Sequence, residues 1–319
     1  MLLRWRSLTS LLPWSRPSLA ALSAIHHRLP LCIRFDTSKP IAAGRRTASS
    51  VAPPPELVKK ALFVPPGVAK EDVTVGTVLP GSNIVVGPYA GDARIKQAEF
   101  VKSSSRAKDC PKDGKPEFAI IGRSNIGKSS LINTLVRQKD IALTSKKPGI
   151  LICCDFVCSW TAGKTQLINH FLINRSWYIV DLPGYGFAHA SESARMDWSS
   201  FTKGYFQNRE MLVAVLLLVD ASVPPQKIDL DCANWLGRNN IGMTFVFTKC
   251  DKAKGGKGSR PSDNIQQFHE LIRTCYREPP PWITTSSVTG MGRDELLMHM
   301  SQLRNYWDND DDDDDDGVL

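Results

Sequence analysis

The sequence predicts an α/β fold built on a mostly parallel, six-stranded sheet with helices on both of its faces. From about residue 95 onward, short apolar runs alternate with helix-like segments. Alternation of this kind is typical of a parallel sheet that is covered on both sides. A glycine-rich turn at 122–127 also connects an apolar run directly to a helical segment, as expected for such a sheet.

The six predicted strands are short apolar or β-branched runs at 118–121, 167–173, 177–180, 212–219, 244–247 and 282–285. The fourth run is apolar throughout, which fits a central strand buried on both faces. Helices are predicted to start at residue 128 and to span 197–206, 228–236, 265–275 and 293–307. The last helix is amphipathic, with its apolar side formed by Leu296, Leu297, Met300 and Leu303.

The chain before this domain divides into two segments. Residues 1–50 are rich in Arg and Ser and nearly free of acidic residues, a composition typical of an organellar transit peptide. The alternative is a basic arm that stays on the protein. Residues 51–94 are rich in Pro, Gly and Val and predict a linker with short strands at 73–78 and 84–86. The domain itself is predicted over 95–307.

The net charge of +8 is unevenly distributed. Residues 1–55 carry +7 and the aspartate-rich tail, 308–319, carries −8, which leaves +9 for 56–307. A basic body favours a polyanionic partner. The tail is predicted to be disordered and solvated; the alternative is that it folds back and competes with RNA. The longest apolar run, 211–219, is far shorter than the roughly 20 residues of a membrane span, so we expect no membrane span. We also expect the protein to be a monomer.

The eight cysteines contain no CxxC pair. This usage favours reduced thiols over disulfides. Cys153, Cys154 and Cys158 form a cluster, but no His or acidic residue follows at zinc-finger spacing. We therefore expect thiols there, with a metal site as the alternative.

Residues 122–129 read Gly-Arg-Ser-Asn-Ile-Gly-Lys-Ser and match the phosphate-loop pattern GxxxxGK[ST]. Backbone N–H groups of such a loop surround phosphates, Lys128 reaches the β- and γ-phosphates, and Ser129 is a ligand of Mg²⁺. Asp181-Leu-Pro-Gly184 follows the third strand; its acid can hold Mg²⁺ and its glycine N–H can contact the γ-phosphate. The predicted phosphate-binding residues are Gly122, Arg123, Ser124, Asn125, Gly127, Lys128, Ser129, Ser130 and Gly184.

Thr248-Lys249-Cys250-Asp251 follows the fifth predicted strand. A carboxylate there can accept two hydrogen bonds from guanine, and adenine lacks that pair of donors. Charge-assisted hydrogen bonds contribute about 1.5–3 kcal/mol each, so Asp251 favours GTP over ATP and argues against an ATPase or kinase. The predicted guanine-binding residues are Thr248, Lys249, Asp251, Ser286 and Ser287.

The ordered motifs GRSNIGKS, DLPG, TKCD and TSSV resemble those of the translation-factor-related small GTPases, and specifically the EngB (YihA) type. The run DLPGYGFA from Asp181 is similar to the switch II of that family. Residues 164–169 and 99–103 look like its switch I and the lead-in to switch I. The resemblance covers about 95–307 and implies a Ras-like phosphate-loop G domain that binds GTP and GDP with Mg²⁺.

The resemblance also implies slow hydrolysis and a role in assembly of the large ribosomal subunit, with links to division in bacteria. The implied Mg²⁺ ligands are Ser129, Thr165 and Asp181. Tyr185 stands where Ras-like enzymes have the glutamine that positions water, so we expect a slow intrinsic rate. Asn125 resembles an asparagine that binds K⁺ in relatives, although it could equally serve only as a turn-former.

One segment departs from the family pattern. Fourteen residues, 150–163, separate Lys147-Pro-Gly from Lys164-Thr-Gln, which are contiguous in the family. The segment is apolar, Cys-rich and carries one charge, and it resembles translated non-coding sequence from splicing or a gene-model error. The alternative is a native insert. Because it precedes Thr165, it favours a second function, a GTP-binding scaffold with little hydrolysis. The leading expectation is an organellar GTPase, with the Arg-rich start favouring mitochondrion over chloroplast.

Overall fold

The computed structural model describes residues 62–137, 141, 167–185, 200–252, 259–276, 278 and 280–310. The predicted transit peptide, the segment 150–163, the cysteine cluster within it and Thr165 therefore lie outside the described residues.

A seven-stranded sheet forms the centre of the domain. Its strands are β1 (Ala98–Ser104), β2 (Glu117–Ile121), β3 (Ile168–Ile173), β4 (Trp177–Asp181), β5 (Leu212–Asp220), β6 (Met243–Thr248) and β7 (Trp282–Thr284). They lie in the order β1-β3-β4-β2-β5-β6-β7. Only β3 runs against both of its neighbours, whereas β4, β2, β5, β6 and β7 pair in parallel. The mostly parallel α/β prediction is confirmed.

The strand count of six was wrong by one. The additional strand is β1, at the edge of the sheet, where the sequence suggested only a lead-in to switch I. Five of its seven residues are exposed, including Phe100 at 51%. An edge strand that buries neither face carries no apolar alternation, so the periodicity that signals the other strands was missing.

Within the described ranges, five helices surround the sheet: α1 (Lys128–Val136), α2 (Ser200–Asn208), α3 (Lys227–Arg238), α4 (Pro261–Arg273) and α5 (Arg293–Asp310). The predicted helices are confirmed within a few residues at each end. The apolar side of α5 is buried, as expected. This helix extends to Asp310, so the first residues of the acidic tail continue it and are not disordered.

The core has two layers because alternate residues of each strand point to opposite faces of the sheet. Residues such as Ile120 and Leu216 pack with α1 and α5 on one face. Ile121 and Leu217 pack with α2, α3 and α4 on the other. All nine residues of β5 are buried, which explains its uninterrupted apolar sequence.

Residues 62–94, which the composition predicted as part of a linker with short strands, pack on the domain. Ile84 is fully buried, and Asn83 accepts a hydrogen bond from the Trp282 backbone N–H at 2.8 Å. The backbone N–H of Thr284 donates to Gly81 at 2.9 Å. This segment therefore covers the outer edge of β7. The predicted strand at 73–78 was wrong, since Val75–Thr77 forms a single 3₁₀ turn.

None of the helices in the described ranges has the length and apolar composition needed to cross a membrane.

Candidate functional site

The carboxyl ends of the five parallel strands lie at one edge of the sheet, and the predicted motifs all follow these ends. Glycine-rich and polar loops begin after Ile121, Asp181, Asp220, Thr248 and Thr284. In an open α/β sheet, this edge is where ligands bind. The topology therefore gathers segments that are far apart in the sequence.

The loop after β2 forms a tight turn that leads directly into α1. Asn125 and Gly127 have positive φ angles of 63° and 102°. Glycine adopts this region at no cost, and asparagine tolerates it better than most residues. The Ile126 N–H donates to Arg123 O at 3.3 Å within the turn. The positive φ of Asn125 gives this residue a conformational role, whether or not its side chain also binds K⁺.

Lys128, the first residue of α1, lies at the centre of the phosphate-loop region. Its ammonium group forms an ion pair with Oδ1 of Asp181, at the end of β4, and both side chains are largely buried. The cation and the carboxylate predicted to act on phosphate and Mg²⁺ are thus adjacent. Ser129 and Asp181 supply hard oxygen donors, the type that Mg²⁺ prefers.

The described residues contain no group of three or more His, Cys, Asp and Glu side chains placed to hold a metal. Magnesium ions in nucleotide sites take few protein ligands and complete their shell with phosphate oxygens and water. Ser129 and Asp181 would hold such an ion. The third predicted ligand, Thr165, is outside the described residues.

Gly184 touches the backbone of the phosphate loop. A Cβ atom at this position would lie 2.9 Å from Gly122 O, closer than a side chain tolerates. The neighbouring residue reinforces the contact, because the Tyr185 N–H donates to Gly122 O at 3.2 Å and Ser124 N–H donates to Tyr185 O at 3.1 Å. Switch II therefore begins in direct contact with the loop that precedes α1.

The loop after β6 is also attached to the phosphate loop. Thr248 donates its hydroxyl to Ile126 O at 3.0 Å, and the Lys249 ammonium donates to Asn125 O at 3.0 Å. Lys249 has a positive φ of 60°. The predicted guanine and phosphate residues are consequently parts of one surface.

Asp251 and Ser286 meet across β6 and β7. The Ser286 hydroxyl donates to Asp251 Oδ1 at 2.6 Å, and Cys250 N–H donates to Thr285 O at 3.2 Å. The serine hydroxyl thereby fixes the orientation of the carboxylate. Ser287 extends this surface to α1, since its carbonyl accepts a hydrogen bond from the Thr134 hydroxyl at 3.4 Å.

Two acidic residues of the site were missed at the sequence level. Asp220 ends β5, and its Oδ2 accepts a 2.5 Å hydrogen bond from Lys249 Nζ. Burial would raise the pKa of Asp220, but the bonds from Lys249 and Ser222 hold that pKa below its ordinary value. The available signal was an acid that directly ends a nine-residue apolar run.

The second acidic residue that the sequence analysis missed is Asp229, in the first turn of α3. Arg123 Nε donates to its Oδ1 and Oδ2 at 3.1 and 3.0 Å, and the Tyr185 hydroxyl donates to Oδ1 at 3.0 Å. Burial raises the pKa of Asp229 to about 6, although Arg123 and Tyr185 oppose this shift. No sequence signal predicts the cluster, because Arg123 and Asp229 are 106 positions apart.

Similarity to known proteins agrees with this geometry. A family profile described as "50S ribosome-binding GTPase" matches residues 117–249. The chain is 60% identical over 314 residues to "GTP-binding protein At2g22870" of Arabidopsis thaliana, covering 97% of this chain and 99% of the relative. It is 41% identical over 212 residues to "Probable GTP-binding protein EngB" of Christiangramia forsetii, covering 66% of this chain and 98% of the relative.

This chain belongs to the EngB family of GTP-binding proteins. Its family resemblance, predicted from the four motifs, is therefore confirmed, together with GTP binding as the family's property. A solved structure, "Crystal structure of a probable GTP-binding protein engB", aligns with 60% of this chain and 99% of that chain at 19% identity, with a TM-score of 0.39.

Proposed function

We propose that this EngB-family chain binds GTP and GDP with Mg²⁺, hydrolyses GTP slowly and acts as a switch in assembly of the large subunit of an organellar ribosome. The observation that carries the proposal is the contact of one phosphate loop with both neighbouring segments. Asn125 O and Ile126 O accept hydrogen bonds from the loop after β6, which carries the predicted guanine-binding residues. Gly122 O accepts one from the start of switch II.

Base recognition would rest on Asp251. Its carboxylate, oriented by the Ser286 hydroxyl, would accept hydrogen bonds from the guanine N1–H and 2-amino groups. The Lys249 stem would lie along the base, since its ammonium group is held between Asp220 and Asn125 O. The phosphates would lie over the N-terminus of α1, where backbone N–H groups and the helix dipole favour anions.

Slow hydrolysis follows from the position of Tyr185. Its ring is buried and its hydroxyl donates to Asp229 at 3.0 Å. A side chain held in this way does not orient an attacking water, which is the role that glutamine has in Ras-like enzymes. Lys128, Mg²⁺ and backbone N–H groups would then supply most of the transition-state stabilisation. K⁺ bound near Asn125 would add positive charge there.

The buried position of Tyr185 also favours a second function, that of a GTP-binding scaffold that barely hydrolyses GTP. Such a protein would bind its partner in the GTP form and rely on another factor for release. The segment 150–163, which interrupts the predicted switch I in the sequence, also favours this second function. Single-turnover hydrolysis in K⁺ and Na⁺ buffers, with the full chain and with a chain lacking 150–163, separates the two functions.

A ribosomal partner is supported by two features. The profile that matches 117–249 describes ribosome-binding GTPases, and the body at 56–307 carries a net charge of +9. Binding of this kind weakens as salt rises because counterions are released from the nucleic acid. The Arg-rich N-terminal segment supports an organellar location, with mitochondrion favoured over chloroplast.

The partner is tested by cosedimentation with organellar large subunits at several salt concentrations, with GTP, GDP or no nucleotide. We expect binding that weakens with salt and strengthens with GTP. Binding indifferent to both would contradict the proposal. Imaging of the full chain and of a chain lacking 1–50, each tagged at the C-terminus, tests the location, because the truncated form should lose its organellar signal.

The guanine assignment is tested by Asp251→Asn. Loss of a charge-assisted acceptor should weaken GTP binding by several kcal/mol, at about 1.5–3 kcal/mol for each hydrogen bond. Xanthosine nucleotides, which present a carbonyl in place of the 2-amino group, should bind the variant better than the wild type. Calorimetry with both nucleotides checks this, and unchanged GTP affinity would rule out Asp251 as the base-recognition residue.

A further inference from the structure

Asp229 contacts two parts of the site at once. Its carboxylate accepts both hydrogen bonds from Arg123 Nε, at 3.1 and 3.0 Å, and one from the Tyr185 hydroxyl at 3.0 Å. Arg123 belongs to the phosphate loop, and Tyr185 is the first residue after Gly184. The carboxylate itself is in the first turn of α3 and is 1% exposed. Helix α3, which carries none of the predicted nucleotide-binding residues, thus contacts both segments.

We infer that Asp229 is a positioning residue that sets the distance between switch II and the phosphate loop, and so controls the preference for GTP over GDP. The inference rests on the proposed function, because it assumes that Gly184 donates its N–H to the γ-phosphate. GDP has no γ-phosphate. Displacement of Gly184 should therefore weaken GTP binding while GDP binding is retained.

The local geometry explains why Gly184 depends on Asp229. Gly184 lies against Gly122 O with no room for a Cβ atom, so small shifts of switch II change its position relative to the phosphates. Two backbone hydrogen bonds connect Tyr185 to the phosphate loop, and the Tyr185 hydroxyl connects it to α3, where it donates to Asp229 at 3.0 Å and also lies beside Cys232. A hydrogen bond to a charged acceptor is stronger than one between neutral groups.

The phosphate loop depends on Asp229 much less. Its backbone is also held by the Thr248 hydroxyl and the Lys249 ammonium group, each at 3.0 Å, and by the internal Ile126–Arg123 bond. The β-phosphate contacts should therefore survive when Arg123 loses its partner. This asymmetry predicts a selective effect and not a general loss of nucleotide binding.

The test compares GTP and GDP affinities of the full chain by stopped-flow with fluorescent nucleotides. We expect Asp229→Asn to lower the ratio of GTP affinity to GDP affinity roughly tenfold, the size expected for one hydrogen bond to a charged group. GDP affinity should stay within about twofold of the wild type. Asp231→Asn is the matched control, because Asp231 lies on the same helix and is exposed.

Tyr185→Phe tests the same inference with little risk to folding, because it keeps the ring and the Arg123–Asp229 pair. It should shift the ratio in the same direction by a smaller factor. The double variant should shift the ratio by less than the product of the two single effects, since both changes weaken the same Tyr185–Asp229 hydrogen bond. If Asp229→Asn does not fold, Tyr185→Phe alone decides.

The outcomes separate this inference from the proposed function. A wild-type chain that binds neither nucleotide contradicts the proposed function. A wild-type chain that binds both, with ratios unchanged in the variants, contradicts the inference alone. Equal loss of GTP and GDP affinity, accompanied by a lower melting temperature, would show that Asp229 only stabilises the fold and would also overturn it.

Discussion

Two buried clusters with the same side-chain chemistry lie at opposite ends of β2. At the strand's start, Glu117 accepts hydrogen bonds from Arg209, at 2.8 and 2.5 Å, and from the Tyr205 hydroxyl at 2.6 Å. Beyond the strand's end, Asp229 contacts Arg123 and Tyr185 in a similar way. Each cluster is a carboxylate, an arginine and a tyrosine.

The two clusters differ in what they connect. The Glu117 cluster joins β2 to α2 and to the segment just before β5, far from the loops that follow the strand ends. Its carboxylate also lies 3.4 Å from His170 Nε2. The Asp229 cluster joins two ligand-binding loops to α3. The same chemistry therefore stabilises the fold at one end of β2 and positions the site at the other.

Their pKa shifts also differ in direction. Burial would raise the pKa of Glu117, but the hydrogen bonds from Arg209 and the nearby His170 ring hold that pKa below its ordinary value. For Asp229, burial outweighs the contacts from Arg123 and Tyr185, and the pKa rises to about 6. Arg209 presents two nitrogens to Glu117, whereas Arg123 presents only Nε to Asp229. The weaker pairing leaves Asp229 easier to protonate.

The largest expected effect is the loss of stability when the Glu117 cluster is broken. Glu117→Gln removes the charge from a buried pair, which typically costs about 3–5 kcal/mol of the free energy of unfolding. The ratio of GTP to GDP affinity should not change, because the described side-chain contacts of Glu117, to Arg209, Tyr205 and His170, lie outside the ligand-binding loops. Urea denaturation and nucleotide titration check both points, with the exposed Glu99→Gln as the control. A changed nucleotide ratio would remove the distinction between the clusters.

The pH dependence should have opposite signs in the two clusters. The raised pKa of Asp229 contributes stability that is complete below its ordinary value of 3.8 and is lost as pH rises through about 6. The difference between these two pKa values corresponds to at most about 3 kcal/mol of the free energy of unfolding. The lowered pKa of Glu117 contributes stability that is complete above 4.5 and is lost as pH falls below that value.

The measurement is the free energy of unfolding at several pH values from 4 to 7. Between pH 4 and 6, Asp229→Asn should remove a decline in stability that the wild type shows. Glu117→Gln should instead reduce the loss of stability at the acidic end. If Asp229→Asn leaves the wild-type slope between pH 4 and 6 intact, the raised pKa of Asp229 is wrong.

The smallest expected effect concerns the two tyrosines. Tyr205→Phe and Tyr185→Phe each delete one hydrogen bond to a buried carboxylate, so each should lower the free energy of unfolding by about 1.5–3 kcal/mol. Thermal denaturation should give similar losses for the two variants. Only Tyr185→Phe should also alter the GTP to GDP ratio. An equal nucleotide effect of Tyr205→Phe would show that both clusters act on the site through general stability.

The sequence by itself determined the parts of this protein whose signals are local. The α/β class, the phosphate loop before α1, the order of the four motifs and the family all follow from short runs of residues. Lys128 and Asp181 could be expected to meet because Asp181 ends β4 and Lys128 follows the loop at the carboxyl end of the neighbouring strand β2. Asp251 could be expected to lie near Ser286 for the same reason.

The tertiary structure alone decided the contacts that join distant residues without a local signal. Periodicity could not reveal β1, because an exposed edge strand buries no face, and composition could not show that 62–94 cover β7. The Asp229 cluster requires a loop, a switch segment and a helix to converge, with Arg123 and Asp229 separated by 106 positions. Hydrophobic burial specifies which strands and helices form, but the partner of a buried charge is fixed only when the packed helices bring it within hydrogen-bonding distance.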